Sequence, residues 1–222
     1  MESPRLNKYL AYHLGLSRRE ADDLIASGKV AIDGKTAVLG ARVDETSEVT
    51  VDGKLITKRR SYTYLMLNKP VGYVCSRRRQ GDNPTIYELL PDTLHNLKPV
   101  GRLDKDSSGL LVLTDDGDYA HRMTHPSFGK TKVYEVELDK PLSPLHQQMI
   151  SDYGVTLEDG VSRFIVTTAD KGYEVTMKEG RNRQIRRTFA ALGYEVTVLN
   201  RTQFGPLHTG GLAPGSYESF IP

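Results

Sequence analysis

One cysteine, Cys75, stands in 222 residues, so no internal disulfide can form and no cysteine cluster can hold zinc. That usage points to a reducing, cytoplasmic setting. No apolar run approaches the roughly 20 residues that span a bilayer, and the first residues lack the charged-then-apolar pattern of a secretory signal. These absences argue against a membrane partner. The six histidines show no metal-protease spacing, and no phosphate-loop or dinucleotide fingerprint occurs, so no metal and no cofactor is expected. Internal repeats and low-complexity tracts are missing too. Charge of one sign is scarce: the net charge is +2, so a basic surface has to come from clustering. The apolar share of 38% suffices for a core, and the length fits one medium domain plus a small one.

What is present begins with residues 101–111, Gly101-Arg102-Leu103-Asp104-Lys105-Asp106-Ser107-Ser108-Gly109-Leu110-Leu111. A carboxylate, Asp104, lies between a basic residue, Arg102, and a turn at Ser107, Ser108 and Gly109. The apolar run 110–113 then looks like a buried strand, and Asp116-Gly117 punctuates the chain. A carboxylate on a loop beside a core strand is held rigidly yet can face a ligand. By itself the fragment is an ordinary Asp-rich turn.

The chain divides near residue 60. Residues 1–57 form a small unit, 58–61 a polar basic linker, and 62–222 a larger, strand-rich unit. In the small unit, Ser17 and Glu20 make a capping box that starts a helix. That helix carries Ala21, Leu24 and Ile25 on one face and stops at Gly28. Leu6, Tyr9 and Leu10 suggest an earlier helix. Strands fit at 30–32 and 49–51, leading into the Asp33-Gly34 and Asp52-Gly53 turns. Arg5, Lys8, Arg18, Arg19 and Lys29 can line one basic face, either solvated or contacting phosphates.

In the larger unit, strands fit at 64–67, 133–138, 164–168, 173–177, 194–199 and 217–221, with helices near 117–125, 143–152 and 182–192. The irregular alternation predicts an α+β class with a largely antiparallel or mixed sheet flanked by helices. On the 182–192 helix, Ile185, Phe189 and Leu192 recur as a buried stripe. Arg183 and Arg187 fall on the opposite face, free for solvent or phosphate. Arg186 sits at the edge of the stripe. An inward arginine needs a carboxylate, because an unpaired buried charge is costly, and Asp104 is the obvious partner.

The 101–111 stretch closely resembles the catalytic motif of pseudouridine synthases, of the RsuA type that acts on ribosomal RNA. Three further segments extend the resemblance: Leu67-Asn68-Lys69-Pro70-Val71-Gly72, Lys132-Val133-Tyr134-Glu135-Val136, and Glu179 to Arg187. Near the start, the segments from Arg5, Ser17 and Gly28 resemble the small RNA-binding domain named after ribosomal protein S-four. The motif reads Lys-Asp-Ser-Ser-Gly where many relatives place Thr or Gln, and Asp104 is intact. The resemblance implies an enzyme that detaches uracil from its sugar, turns it and reattaches it through carbon 5. It implies ribosomal RNA as partner, a monomeric state and no cofactor. Asp104 would be the catalytic group, as nucleophile or base. With a reference pKa of about 3.9 it is ionised at neutral pH, and Arg186, its partner in the family, would keep it so under bound RNA. Tyr134, otherwise a core aromatic, would stack on the target base, which must be flipped out at a cost of a few kcal/mol. Arg102 would brace the vacated stack. Lys69 either belongs to a structural turn or faces RNA. The runner-up is a non-catalytic RNA-binding factor in ribosome assembly. A glycoside hydrolase would want two cooperating carboxylates, and Asp106 is not expected in the site.

Overall fold

A computed structural model describes residues 3–44, 46–57 and 61–222. The chain separates into two compact units, Met1–Tyr62 and Thr63–Pro222. Residues 58–60 of the expected linker lie outside the described residues. Among the described residues no helix is long and apolar enough to cross a membrane.

The first unit packs helices α1 (Leu6–Leu14) and α2 (Arg18–Ala26) with a four-stranded antiparallel sheet. Its strands are β1 (Val30–Ile32), β2 (Lys35–Thr36), β3 (Val49–Val51) and β4 (Lys54–Leu55), in the order β2-β1-β3-β4. The Ser17 Oγ accepts from the Glu20 N–H at 3.2 Å and the Glu20 carboxylate accepts from the Ser17 N–H, so two orphan donors of α2 are satisfied. Both Asp-Gly pairs adopt positive φ at both residues: 50° and 77° at Asp33-Gly34, 47° and 74° at Asp52-Gly53. That is the twist a two-residue hairpin needs, and few residue pairs reach it as cheaply. The unit has its own core of Leu6, Leu10, Ala21, Ile25, Val30, Val43 and Val49.

The second unit is built on a nine-stranded mixed sheet. Its strands and helices run β5 (Tyr64–Lys69), β6 (Lys98–Val100), β7 (Ser108–Thr114), α3 (Gly117–Thr124), β8 (Lys132–Leu138), α4 (Pro144–Gln148), β9 (Val155–Leu157), β10 (Gly160–Ser162), β11 (Ile165–Thr168), β12 (Tyr173–Met177), α5 (Gln184–Ala191), β13 (Val196–Phe204), β14 (Leu207–His208) and β15 (Tyr217–Ser219). The sheet order is β11-β12-β8-β13-β7-β5-β15, with β14 on β13 and β6 on β7. β9 and β10 form a separate hairpin. The class is α+β. β7 is covered on both faces: Leu111 and Leu113 join the main core, while Leu110 and Val112 pack with Tyr119, Met123 and Phe204. A strand buried on both sides reads as an unbroken apolar run.

Several elements depart from their expected bounds. The expected turn at Ser107 to Gly109 is shorter, because Ser108 and Gly109 already belong to β7 and pair in parallel with Asn200 and Arg201 of β13. β13 runs on to Phe204, past the expected end at 199. Its polar residues find partners inside the sheet: Arg201 Nε donates to the Leu110 carbonyl at 2.8 Å, and Asn200 Nδ2 to Glu135 at 2.8 Å. The 143–152 helix is α-helical only over Pro144–Gln148 and widens into a π-turn over Met149–Tyr153. The 182–192 helix starts at Gln184, because Arg183 takes a left-handed φ of 45°.

Candidate active site

The loop joining β6 to β7 carries Arg102, Leu103, Asp104, Lys105, Asp106 and Ser107. Leu103 is buried in the main core, and its N–H points at the Cys75 thiol at 3.5 Å. Burial pushes that thiol above its ordinary pKa. The Asp104 carbonyl accepts from the Ser107 N–H at 3.1 Å, and the Lys105 carbonyl from the Gly72 N–H at 2.7 Å. The backbone of the loop is thus tied down while the Asp104 carboxyl is 37% exposed.

Lys69 completes the anchorage and corrects an expectation. In β5 the residues alternate, and Leu65, Leu67 and Lys69 all point into the core. Lys69 is 0% exposed, so it presents no charge to RNA. Its Nζ donates to the carbonyls of Ser107 (2.6 Å), Asp104 (3.0 Å) and Pro70 (3.0 Å). Three acceptors match the three N–H donors of an ammonium. Burial lowers its pKa, and the nearby Cys75, Asp104 and Asp106 oppose that shift. Lys69→Met keeps the stem but takes the ammonium from the Ser107 and Pro70 carbonyls, while the Asp104 carbonyl retains the Ser107 N–H. The expected cost is roughly 2 kcal/mol, at about 1 kcal/mol or more for each of these two acceptors. Thermal melting checks it: an unchanged midpoint excludes the clamp.

The arginines of the 181–187 segment are arranged otherwise than a helical wheel implies. Arg186, expected on Asp104, reaches Asp106 instead: Nε lies 3.3 Å from Oδ2 and Nη2 donates to the Asp106 carbonyl at 2.7 Å. Its Nη1 donates to Val196 O at 2.6 Å. Burial lowers the Arg186 pKa, and Asp106 opposes this. Among the described residues, the cation nearest the Asp104 carboxylate is Arg183, at 3.6 Å. Arg183 is therefore not free on an outer face. It sits before the helix in left-handed geometry, so the 100° step does not apply to it, and its guanidinium turns back to the loop. Arg187 is not free either: it is held by Asp159 at 2.7 and 3.1 Å and by the Asn182 carbonyl at 2.9 Å.

Asp106, not expected in the site, is at its centre. It receives two parallel bonds from Arg183, 3.0 Å to Oδ1 and 2.9 Å to Oδ2. These bonds hold its pKa below the usual carboxylate range, so it is ionised throughout neutral pH. A sequence signal for it existed. Four arginines between 181 and 187 need more than one carboxylate, and Asp106 shares Asp104's loop. Asp159, in the turn between β9 and β10, was missed for the same reason.

Tyr134 lies on β8, opposite Val175 and Arg201, buried in the same apolar cluster as Leu103 and Ile185. Arg102 is exposed. In the first unit Arg5 precedes α1, Lys8 lies on it, Arg18 and Arg19 open α2, and Lys29 precedes β1. All are exposed except Lys8, which is half-buried. Arg42, outside the expected basic set, faces Arg5 across an antiparallel bridge.

The family model of RNA pseudouridylate synthase matches residues 63–191, and that of the S4 domain matches residues 4–49. The chain is 37% identical to a ribosomal small subunit pseudouridine synthase A of Pasteurella multocida (strain Pm70), covering 97% of this chain and 95% of that one. It is 33% identical to a ribosomal large subunit pseudouridine synthase B of Bacillus subtilis (strain 168), covering 98% and 92%. A crystal structure of a pseudouridylate synthase superposes with a TM-score of 0.69 at 33% identity, covering 99% of this chain and 96% of that one. The likeness thus runs along nearly whole chains of named enzymes, through the carboxylate loop and the arginines facing it, and this chain belongs to the RNA pseudouridylate synthase family.

Proposed function

We propose that this protein isomerises a uridine of ribosomal RNA to pseudouridine, with Asp104 as the catalytic residue. The observation that carries the reading is the Asp104 loop: its backbone is clamped by Lys69 and Gly72 while its carboxylate stays accessible beside Arg183. In the reaction the bond from the sugar C1′ to N1 breaks, the uracil turns, and a bond from C1′ to C5 forms. C5 loses a proton and N1 gains one, so nothing is consumed. The carboxylate attacks the sugar or takes the proton. A stacked base is out of reach, so the nucleotide leaves the helix at a cost of a few kcal/mol. Arg102, exposed two residues before Asp104, then fills the stack, and Tyr134 lies against the base.

Both relatives carry ribosomal subunits in their names, one small and one large. The test incubates the purified protein with each subunit RNA and maps pseudouridine. New pseudouridine at one site supports the reading. None in either RNA overturns it.

Arg5, Lys8, Arg18, Arg19 and Lys29 suit the first unit to phosphate binding. Removing residues 1–57 is expected to weaken RNA binding and flatten its salt dependence, by about 0.7–0.9 in log–log slope for each phosphate no longer neutralised. The remaining unit keeps its own core and acts slowly on a good fragment. A truncated protein with unchanged affinity excludes this role. One that is folded and RNA-saturated but inert means the small unit helps build the site.

A further inference from the structure

Two carboxylates of this loop face one guanidinium, that of Arg183. Arg183 Nη1 lies 3.0 Å from Asp106 Oδ1 but 3.6 Å from Asp104 Oδ2. The first is a hydrogen bond. The second is an ion pair without one. Arg186 is 12% exposed and fixed by the carbonyls of Val196 and Asp106, whereas Arg183 is 43% exposed and open to a ligand. Arg183 also has a φ of 45°, a conformation that costs a non-glycine residue roughly 1 kcal/mol. The paired bonds that Arg183 donates to Asp106 offset that cost and set where the guanidinium points.

We propose that Asp106 is a positioning residue that acts through Arg183. It holds the guanidinium beside Asp104 and prevents it from closing a two-bond pair on the Asp104 carboxylate. The reason is chemical. A carboxylate locked end-on to arginine has both oxygens occupied and its basicity reduced, so it reacts poorly at a sugar carbon or a proton. A guanidinium at 3.6 Å still balances its charge. The inference rests on the reading of Asp104 as the reacting group.

The experiment measures single-turnover rates and RNA affinity for the full chain and four variants. Asp106→Asn removes the charge at nearly constant shape and hands Arg183 to Asp104. Its rate is expected to fall on the order of 10²-fold, the scale of an ångström-sized misplacement of a reacting group. Its RNA affinity is expected to hold or to rise, because one negative charge facing the phosphates is gone. A scaffold role would lower both together. Asp106→Glu keeps the charge and is expected to recover part of the rate. Arg183→Ala alone and Arg183→Ala with Asp106→Asn are expected to react equally fast, since the remaining guanidinium, Arg186, is held by the Val196 and Asp106 carbonyls and does not need the Asp106 carboxylate to keep its place. A wild-type rate in Asp106→Asn overturns the proposal, and so does an additive loss in the double variant. The reading beneath it is tested separately by Asp104→Asn: activity there sinks the assignment of Asp104 whatever Asp106 does.

Discussion

Asp104→Asn is expected to abolish pseudouridine formation while the protein stays folded and bound to RNA. The amide is nearly isosteric, and the anchorage of this residue runs through its backbone carbonyl, to Lys69 Nζ and the Ser107 N–H. The substitution leaves both bonds in place. What it removes is the carboxylate, which neither attacks nor accepts a proton once it is an amide. A loss on the order of 10⁴-fold or more is the scale for removing the group on which a covalent or proton-transfer step depends. Single-turnover assays at saturating enzyme separate this from a binding defect. A rate within tenfold of wild type excludes Asp104 as the reacting group.

Gly109→Ala is expected to have the largest effect on stability. A Cβ at this position meets the Arg201 carbonyl oxygen at 2.2 Å, the Arg201 nitrogen at 2.5 Å and Asn200 Oδ1 at 2.7 Å. Two of these atoms are backbone and cannot swing aside. The φ of 102° is itself outside the range of L side chains. The close approach lies where β7 and β13 run parallel, which is the seam between β11-β12-β8-β13 and β7-β5-β15. Opening it exposes both cores and displaces the loop that ends at Ser107. Destabilisation above about 4 kcal/mol is expected, hence a drop of more than roughly 10 °C in melting midpoint for a unit of this size. Gly117→Ala is the control: nothing lies within 4 Å of its Cβ, and it opens a helix, so little change is expected. Equal melting of the two variants overturns the account of Gly109.

Local patterns reached a good part of this protein. The capping box at Ser17, the two Asp-Gly hairpins and the buried run of β7 are short-range features. Each depends on residues a few positions apart, so the sequence displays them directly. The ordered motifs around Asp104, Tyr134 and Arg186 carried the family, because their spacing along the chain is itself the signal. Even the α+β class followed from alternating periodicities, without knowledge of which strand pairs with which.

The charges were decided elsewhere. For Lys69 the sequence left two readings, a structural turn or a cation facing RNA, and only the extension of β5 by two residues, paired with Gly109 of β7, turned it inward onto three carbonyls. Arg183 looked free on a helical wheel. A single left-handed residue moved the helix start and aimed its guanidinium at Asp106. Ionic partners are chosen over distances of 2.9–3.6 Å between segments some 80 residues apart in the chain, and one dihedral changes the choice. By itself, therefore, the sequence determined the elements, the class and the family, which rest on local propensity and motif order. Only the tertiary structure decided which arginine faces which carboxylate, because that depends on where separate backbones come to rest.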